Sequence, residues 1–164
     1  LLKNAESRHS YNLPDTALTE CLAQYAPIYF TEPSWLATVA QTATNQSPLA
    51  IDLMAMYLRL TAGNQGIANS REIYHAHLLS SGVELPAPHT LAFAEQTDIG
   101  DEVFDFAAIQ LALAQFPRVF FPEILGFTLS YCQSLSLPEQ FFLASNETKL
   151  PGFLTSRSAR RKQI

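Results

Sequence analysis

The 164 residues, 48% hydrophobic and 15% charged, suffice for one domain with a sizeable core and exclude a disordered chain. Arg157, Arg160, Arg161 and Lys162 sit in the last eight residues, leaving 6 of the 10 basic residues against 15 acidic ones before them, a balance of −9 within a net charge of −5. An acidic body with a basic end excludes a nucleic-acid-binding surface, and Arg59, Asp105 and Glu123 interrupt the richest apolar stretches before any reaches membrane-spanning length.

In chain order, residues 1–13 are polar and mixed and read as a loosely docked arm. Asp15 after Pro14 predicts the start of a helix over TALTECLAQYAPIY, with Leu18, Leu22 and Tyr25 at helical spacing. Glu32-Pro33-Ser34 predicts a second helix over residues 35–42, with Trp35 as a core anchor. Ser47-Pro48 opens a third, LAIDLMAMYLRLTA, with Leu49, Leu53, Met56 and Leu60 on one stripe. The fourth, REIYHAHLLSS, is capped by Asn69 or Ser70 and stopped by Gly82.

Pro86 and Pro88 keep the linker VELPAPH from being helical throughout. A short helix is expected over residues 89–96, then a fifth long one over 101–116, with Phe104, Ala108, Leu111 and Gln115 three or four apart and Pro117 as its stop. The most apolar stretch, 120–135, predicts the central helix. Pro122 fits its first turn, and Glu123 meets the positive end of its dipole. Phe121, Leu125, Leu129 and Cys132 share one face of it, and Glu123, Gly126, Phe127 and Ser130 the other. Both faces are largely apolar, so this helix is expected to be buried all round, with Gly126 admitting a neighbour. Trp35, Leu53, Met56, Leu111, Leu125 and Leu129 form the expected core.

A further short helix over 138–144 and a loop precede the basic tail, whose residues 157–164 read as the start of another helix that the chain ends inside, as expected of a piece of a longer protein. Three- and four-residue periods throughout allow only an all-α bundle, a single domain over residues 1–164. Cys21 and Cys132, both in apolar helical patterns, read as reduced buried thiols, which predicts a cytoplasmic protein.

One pattern has metal-ligating geometry. Glu72 and His75, three apart, project from the same side of a helix, the spacing used by carboxylate di-iron bundles; an exposed, wet helix face is the alternative. There is no Gly-rich phosphate loop, no CxxC pair and no GxSxG elbow.

PEILGFTLSY, preceded by LALAQFPRVFF, together with EPSWL near the start and REIYHAHLLSSGVELP in the middle, resembles the iron-containing redox enzyme branch of the heme-oxygenase-like superfamily, which includes the TenA and PqqC types. The resemblance spans residues 14–137, and FFPEILGF is its most specific piece. It implies a heme-oxygenase-like bundle of about seven helices whose redox members bind one or two non-heme irons and use dioxygen on small organic substrates. Glu72, His75 and Glu123 are the candidate metal ligands under this resemblance, and Tyr74, Tyr131 and Cys132 the candidate pocket residues.

The chain departs from the family at two places. Cys132 stands where members carry a ligating Glu, and no His follows His89 to supply the C-terminal His-x-x-x-Asp-x-x-His helix. Glu123 does not replace the missing carboxylate, since nine residues from Cys132 put it about 180° away on an ideal helix. Cys132 itself stands either as a thiolate ligand or as an inert packed thiol. Three functions are therefore open: a non-heme iron oxidoreductase, a metal-free TenA- or PqqC-type protein binding a small heterocycle or amine-containing ligand, and a catalytically inactive interaction protein. The cofactor is non-heme iron or none, the partner a small molecule, and a homodimer is compatible with the bundle.

Overall fold

The stretch expected to form the first helix is broken at Tyr25 into α1 (Asp15–Gln24) and α2 (Ala26–Thr31). Proline has no N–H to donate, so Pro27 is tolerated in the first turn of a new helix and not inside an old one. Tyr25 N–H closes α1 on the carbonyls of Cys21 and Leu22, at 3.2 and 3.1 Å, and α2 starts again at Ala26. The computed structural model describes residues 15–40, 47–61, 70–136 and 138–140. Among these residues lie seven α-helices and no strand.

The helix expected over residues 35–42 is corrected to one 3₁₀ turn, Ser34–Leu36, followed by turn and bend residues to position 40; residues 41 and 42 lie outside those described. Leu36 and Ala37 donate to the carbonyls of Pro33 and Ser34, at 3.0 and 2.9 Å, the tight three-residue pattern. Trp35, Leu36 and Val39 are all at most 1% exposed. Burying three side chains so close together leaves no wet face for an ordinary surface helix, and Thr38 Oγ1 donates instead to the Ala114 carbonyl.

α3 (Pro48–Thr61) buries Leu53, Met56 and Leu60, while Leu49 in its first turn is exposed. α4 (Ser70–Ser80) ends at Gly82, whose φ of +80° lets Gly82 N–H reach the Leu79 carbonyl at 3.1 Å and Val83 N–H the Leu78 carbonyl at 2.9 Å. That pair of bonds satisfies two end carbonyls, and the left-handed backbone it needs favours glycine. α5 (Leu91–Ala94) is one turn, capped by Thr90, whose hydroxyl accepts from Phe93 N–H at 3.4 Å. α6 (Asp101–Gln115) and α7 (Phe121–Gln133) follow, and residues 138–140 are helical again. The rest of the helix expected over 138–144, the N-terminal arm and the C-terminal basic tail lie outside the described residues.

The expected phases of the last two long helices need correction. α6 buries Ala107, Gln110, Leu113 and Ala114, not the stripe through Leu111, which is 47% exposed. α7 buries Ile124, Thr128 and Tyr131, a line between the two faces read from the sequence, while Leu129 is 59% exposed and Leu125 half-buried. The helix is thus not buried all round. Gly126 is exposed with open space where a Cβ would stand, so among the described residues no neighbouring helix approaches there. Of the six expected core residues, Trp35, Leu53 and Met56 are buried; Leu111 and Leu129 are not.

The buried side chains fall into two clusters. The first joins α1, α2, α4 and α5 through Leu22, Tyr29, Tyr74, Leu78 and Phe93. The second joins the 3₁₀ turn, α3, α6 and α7 through Trp35, Leu53, Met56, Leu113 and Ile124. α2 packs along α6, so the clusters meet there. Among the described residues no helix is long and apolar enough to cross a membrane.

Candidate functional site

Where the clusters meet, the side chains leave a cavity of about 560 Å³ among α2, the 3₁₀ turn, α6 and α7, a size and a placement between bundle helices typical of small-molecule sites. On α6 the lining residues are Glu102, Val103, Phe106 and Gln110, one helical face; on α7 they are Phe127, Ser130 and Tyr131, again one face. Tyr29 from the first cluster and Trp35 from the second complete the wall. Tyr29, Trp35, Gln110 and Tyr131 are buried and make the floor, whereas Glu102, Phe106, Ser130, Ser134, Leu135 and Gln140 are exposed and make a mouth of mixed polarity.

The floor is held by specific bonds. Trp35 Nε1–H donates to Thr128 Oγ1 at 3.1 Å, and that hydroxyl donates its own proton to the Ile124 carbonyl at 2.7 Å. The indole is therefore fixed both by packing and by its one polar atom. Phe127 and Tyr131 stand edge-on to it, with ring centroids 4.8 and 5.1 Å away. Tyr131 hydroxyl donates to Glu32 Oε1, and Arg71 of α4 donates to the Glu32 carbonyl through Nε and Nη2, at 3.2 and 3.0 Å. Glu32 thus ties α4 to α7 and presents its carboxylate to the cavity. Tyr29 hydroxyl pairs with Ser136 Oγ at 3.1 Å, and Glu139 Oε2 accepts from Ser136 N–H and Oγ–H at 2.7 and 2.8 Å, which fixes the chain after α7 over the cavity.

Gln110 differs from these groups. It is 1% exposed, and its Oε1 is buried with no hydrogen-bond partner. A buried, unpaired carbonyl costs about 1–3 kcal/mol; Gln110 lines the cavity, but this oxygen has no surface open to it. Burial pushes the Tyr25 hydroxyl, another lining group, above its ordinary range, and Cys21 adds to the effect.

The residues singled out from the sequence are not brought together. Glu72 and His75 are both exposed on α4, contrary to the expectation that at least one would face inward. Tyr74 and Leu78, each 1% exposed and assisted by half-buried Ile73 and His77, supply a stripe wide enough without them. Tyr74 does not line the cavity; its ring packs 4.9 Å from that of Tyr29 and its hydroxyl donates to the Leu22 carbonyl at 2.7 Å. Glu123 is exposed in the first turn of α7. Cys132 is half-buried against the second cluster, and Tyr131 alone of these candidates lines the cavity. Both cysteines are free thiols and only partly buried, and burial pushes the Cys21 thiol up.

Glu72 and His75 belong to the helix of the first cluster and Glu123 to a helix of the second. All three are exposed, and no group of three His, Cys, Asp or Glu side chains with metal-holding geometry occurs among the described residues. The lining residues that sequence reasoning passed over are Glu32, Tyr29 and Gln110. Glu32 reads as a helix-start acid beside Pro33. A signal for Gln110 exists in the sequence: it is the one polar residue between Asp105 and Gln115 in the apolar run FAAIQLALA. No family model, no curated protein and no solved structure matches this chain.

Proposed function

We propose that this protein is a heme-oxygenase-like helical domain of the metal-free TenA or PqqC kind, binding a small organic molecule in the cavity among α2, α6 and α7. The observation that carries the reading is the 560 Å³ cavity between the helices, with Tyr29, Trp35 and Tyr131 buried in its wall and Glu32 beside them. The aromatic floor supplies apolar contact area and the Glu32 carboxylate a fixed polar group, the combination small-molecule sites use for affinity and orientation. The iron-dependent form of the same reading rests on the resemblance alone; Glu72, His75 and Glu123 are exposed on α4 and α7.

Trp35 is the chain's single tryptophan and part of the cavity floor, so its fluorescence reports occupancy directly. Titrating the full chain with a panel of cationic, neutral and anionic aromatic and aliphatic molecules is expected to give a saturable change for at least one class. A Ser130→Phe variant, which fills the mouth from an exposed helical position, is expected to abolish it. Gln110→Leu, which removes the unpaired oxygen, is expected to raise the stability of the ligand-free protein by about 1–3 kcal/mol. No response from any panel member overturns the proposal.

A further inference from the structure

We infer that the outer face of α6 is an interface for a second copy of this chain, with the two α6 helices packed antiparallel. Asp101, Asp105, Ala108, Ala112 and Gln115 recur three or four apart and are all exposed, so they form one line along the outside of the helix. Ala107, Gln110 and Ala114 hold the opposite, buried line. Ile109 and Leu111 flank the outer line, each about half exposed, and Phe116 and Val119 beyond its end are more exposed still.

Residues 106–117, FAAIQLALAQFP, hold no charged side chain. A helix apolar on every side is stable when every side is covered, and here one side is not. A single exposed Leu needs no account, but neighbouring apolar side chains three and four apart on one face make a continuous patch, and such patches mark contact sites.

The charges at the two ends of the patch favour a second copy as its occupant. Asp101 and Asp105 stand exposed at the N-terminal end, and Arg118 stands exposed just past the C-terminal end. An antiparallel copy brings the acidic end of each helix to the basic end of the other, twice over by symmetry, whereas a parallel copy sets acid against acid. Placing Arg118 against Asp105 of the other copy centres the two-fold axis between Leu111 and Ala112, which is also the middle of the uncharged run. Ala108 and Ala112 then lie where the helices cross, and Ile109 and Leu111 close the contact from the sides. The 15 residues of α6 span about 22 Å. A face that long and one helix wide falls short of the roughly 800 Å² per partner of a standard interface, so the dimer is expected to be weak.

Sedimentation velocity of the full chain across about 1–200 µM is expected to show a monomer–dimer equilibrium with a micromolar Kd. Ala112→Lys sets two like charges beside the axis and is expected to leave a monomer at every concentration, with urea unfolding unchanged because the position is exposed. Asp105→Arg and Arg118→Asp are each expected to weaken the dimer about three- to tenfold at low salt, and the double variant to return to within about twofold of the parent. A chain that stays monomeric throughout overturns the inference. So does a loss of folding stability in Ala112→Lys, which would show that the chain itself covers this face. A dimer that survives Ala112→Lys uses another surface and overturns it equally, and a double variant no tighter than the single ones overturns the antiparallel pairing.

Discussion

Replacing Thr128 by valine keeps the shape and branching of the side chain and removes one oxygen. That oxygen accepts the Trp35 indole N–H at 3.1 Å, and both residues are buried, Thr128 at 7% and Trp35 at 1% exposure. The Ile124 carbonyl that receives the threonine proton lies inside α7, so its loss there matters less. The expected cost is that of a buried donor left unpaired, about 1–3 kcal/mol. For a chain of this length that corresponds to a fall in Tm of about 2–12 °C. Urea unfolding followed by far-UV circular dichroism measures it, and a second background isolates the cause. In Trp35→Phe there is no indole N–H to strand, so Thr128→Val is expected to cost under about 0.5 kcal/mol there. An equal cost in both backgrounds would refute the assignment of the energy to this bond.

The corrected phase of α7 makes a second prediction: Ile124→Ala, at a position 0% exposed, is expected to cost about 2–5 kcal/mol, while Leu129→Ala, at 59% exposure, stays under about 0.5, with half-buried Leu125→Ala between them in the same titration. A third concerns alkali. Burial first, then the neighbouring Tyr29 and Cys21, push the Tyr74 hydroxyl far above its ordinary 10. The folded state keeps a proton that the unfolded chain releases near pH 10, so this group's contribution is whole below about pH 10 and is lost as the pH rises beyond it. Tyr74→Phe is therefore expected to flatten the alkaline limb of a stability profile above pH 10, and an unchanged slope there counts against the argument.

How far the sequence could be read depended on whether a signal was local. Gly82, Thr90 and Pro117 announce themselves, and the ends of α4, α5 and α6 fall within a residue or two of where those types require. The break before Pro27 was equally local in origin, but an amphipathic pattern running through it concealed it. The phase of α7 was not legible, because a helix with Phe, Leu and Ile on every side offers no polar stripe to orient it. There Thr128 decides, and its partner Trp35 lies 93 residues earlier. The site had the same difficulty. Glu72 and His75 share a face by spacing, but spacing does not say whether that face is wet, and Tyr74 and Leu78 took the buried side. Glu32 and Gln110 come from distant segments and meet only once α2 lies along α6.

The dependence of the 3₁₀ turn on α7 also sets a clock for a chain made from its N-terminus. Trp35, Leu36 and Val39 find partners in the second cluster, which is incomplete until Ile124 and Tyr131 have been added. At about 5–20 residues per second, the 93 residues from Trp35 to Thr128 take roughly 5–20 s to synthesise. Through that interval α1 and α2 can already close the first cluster with α4 and α5, while Trp35, Leu36 and Val39 have only the part of the second cluster that α3 and then α6 supply.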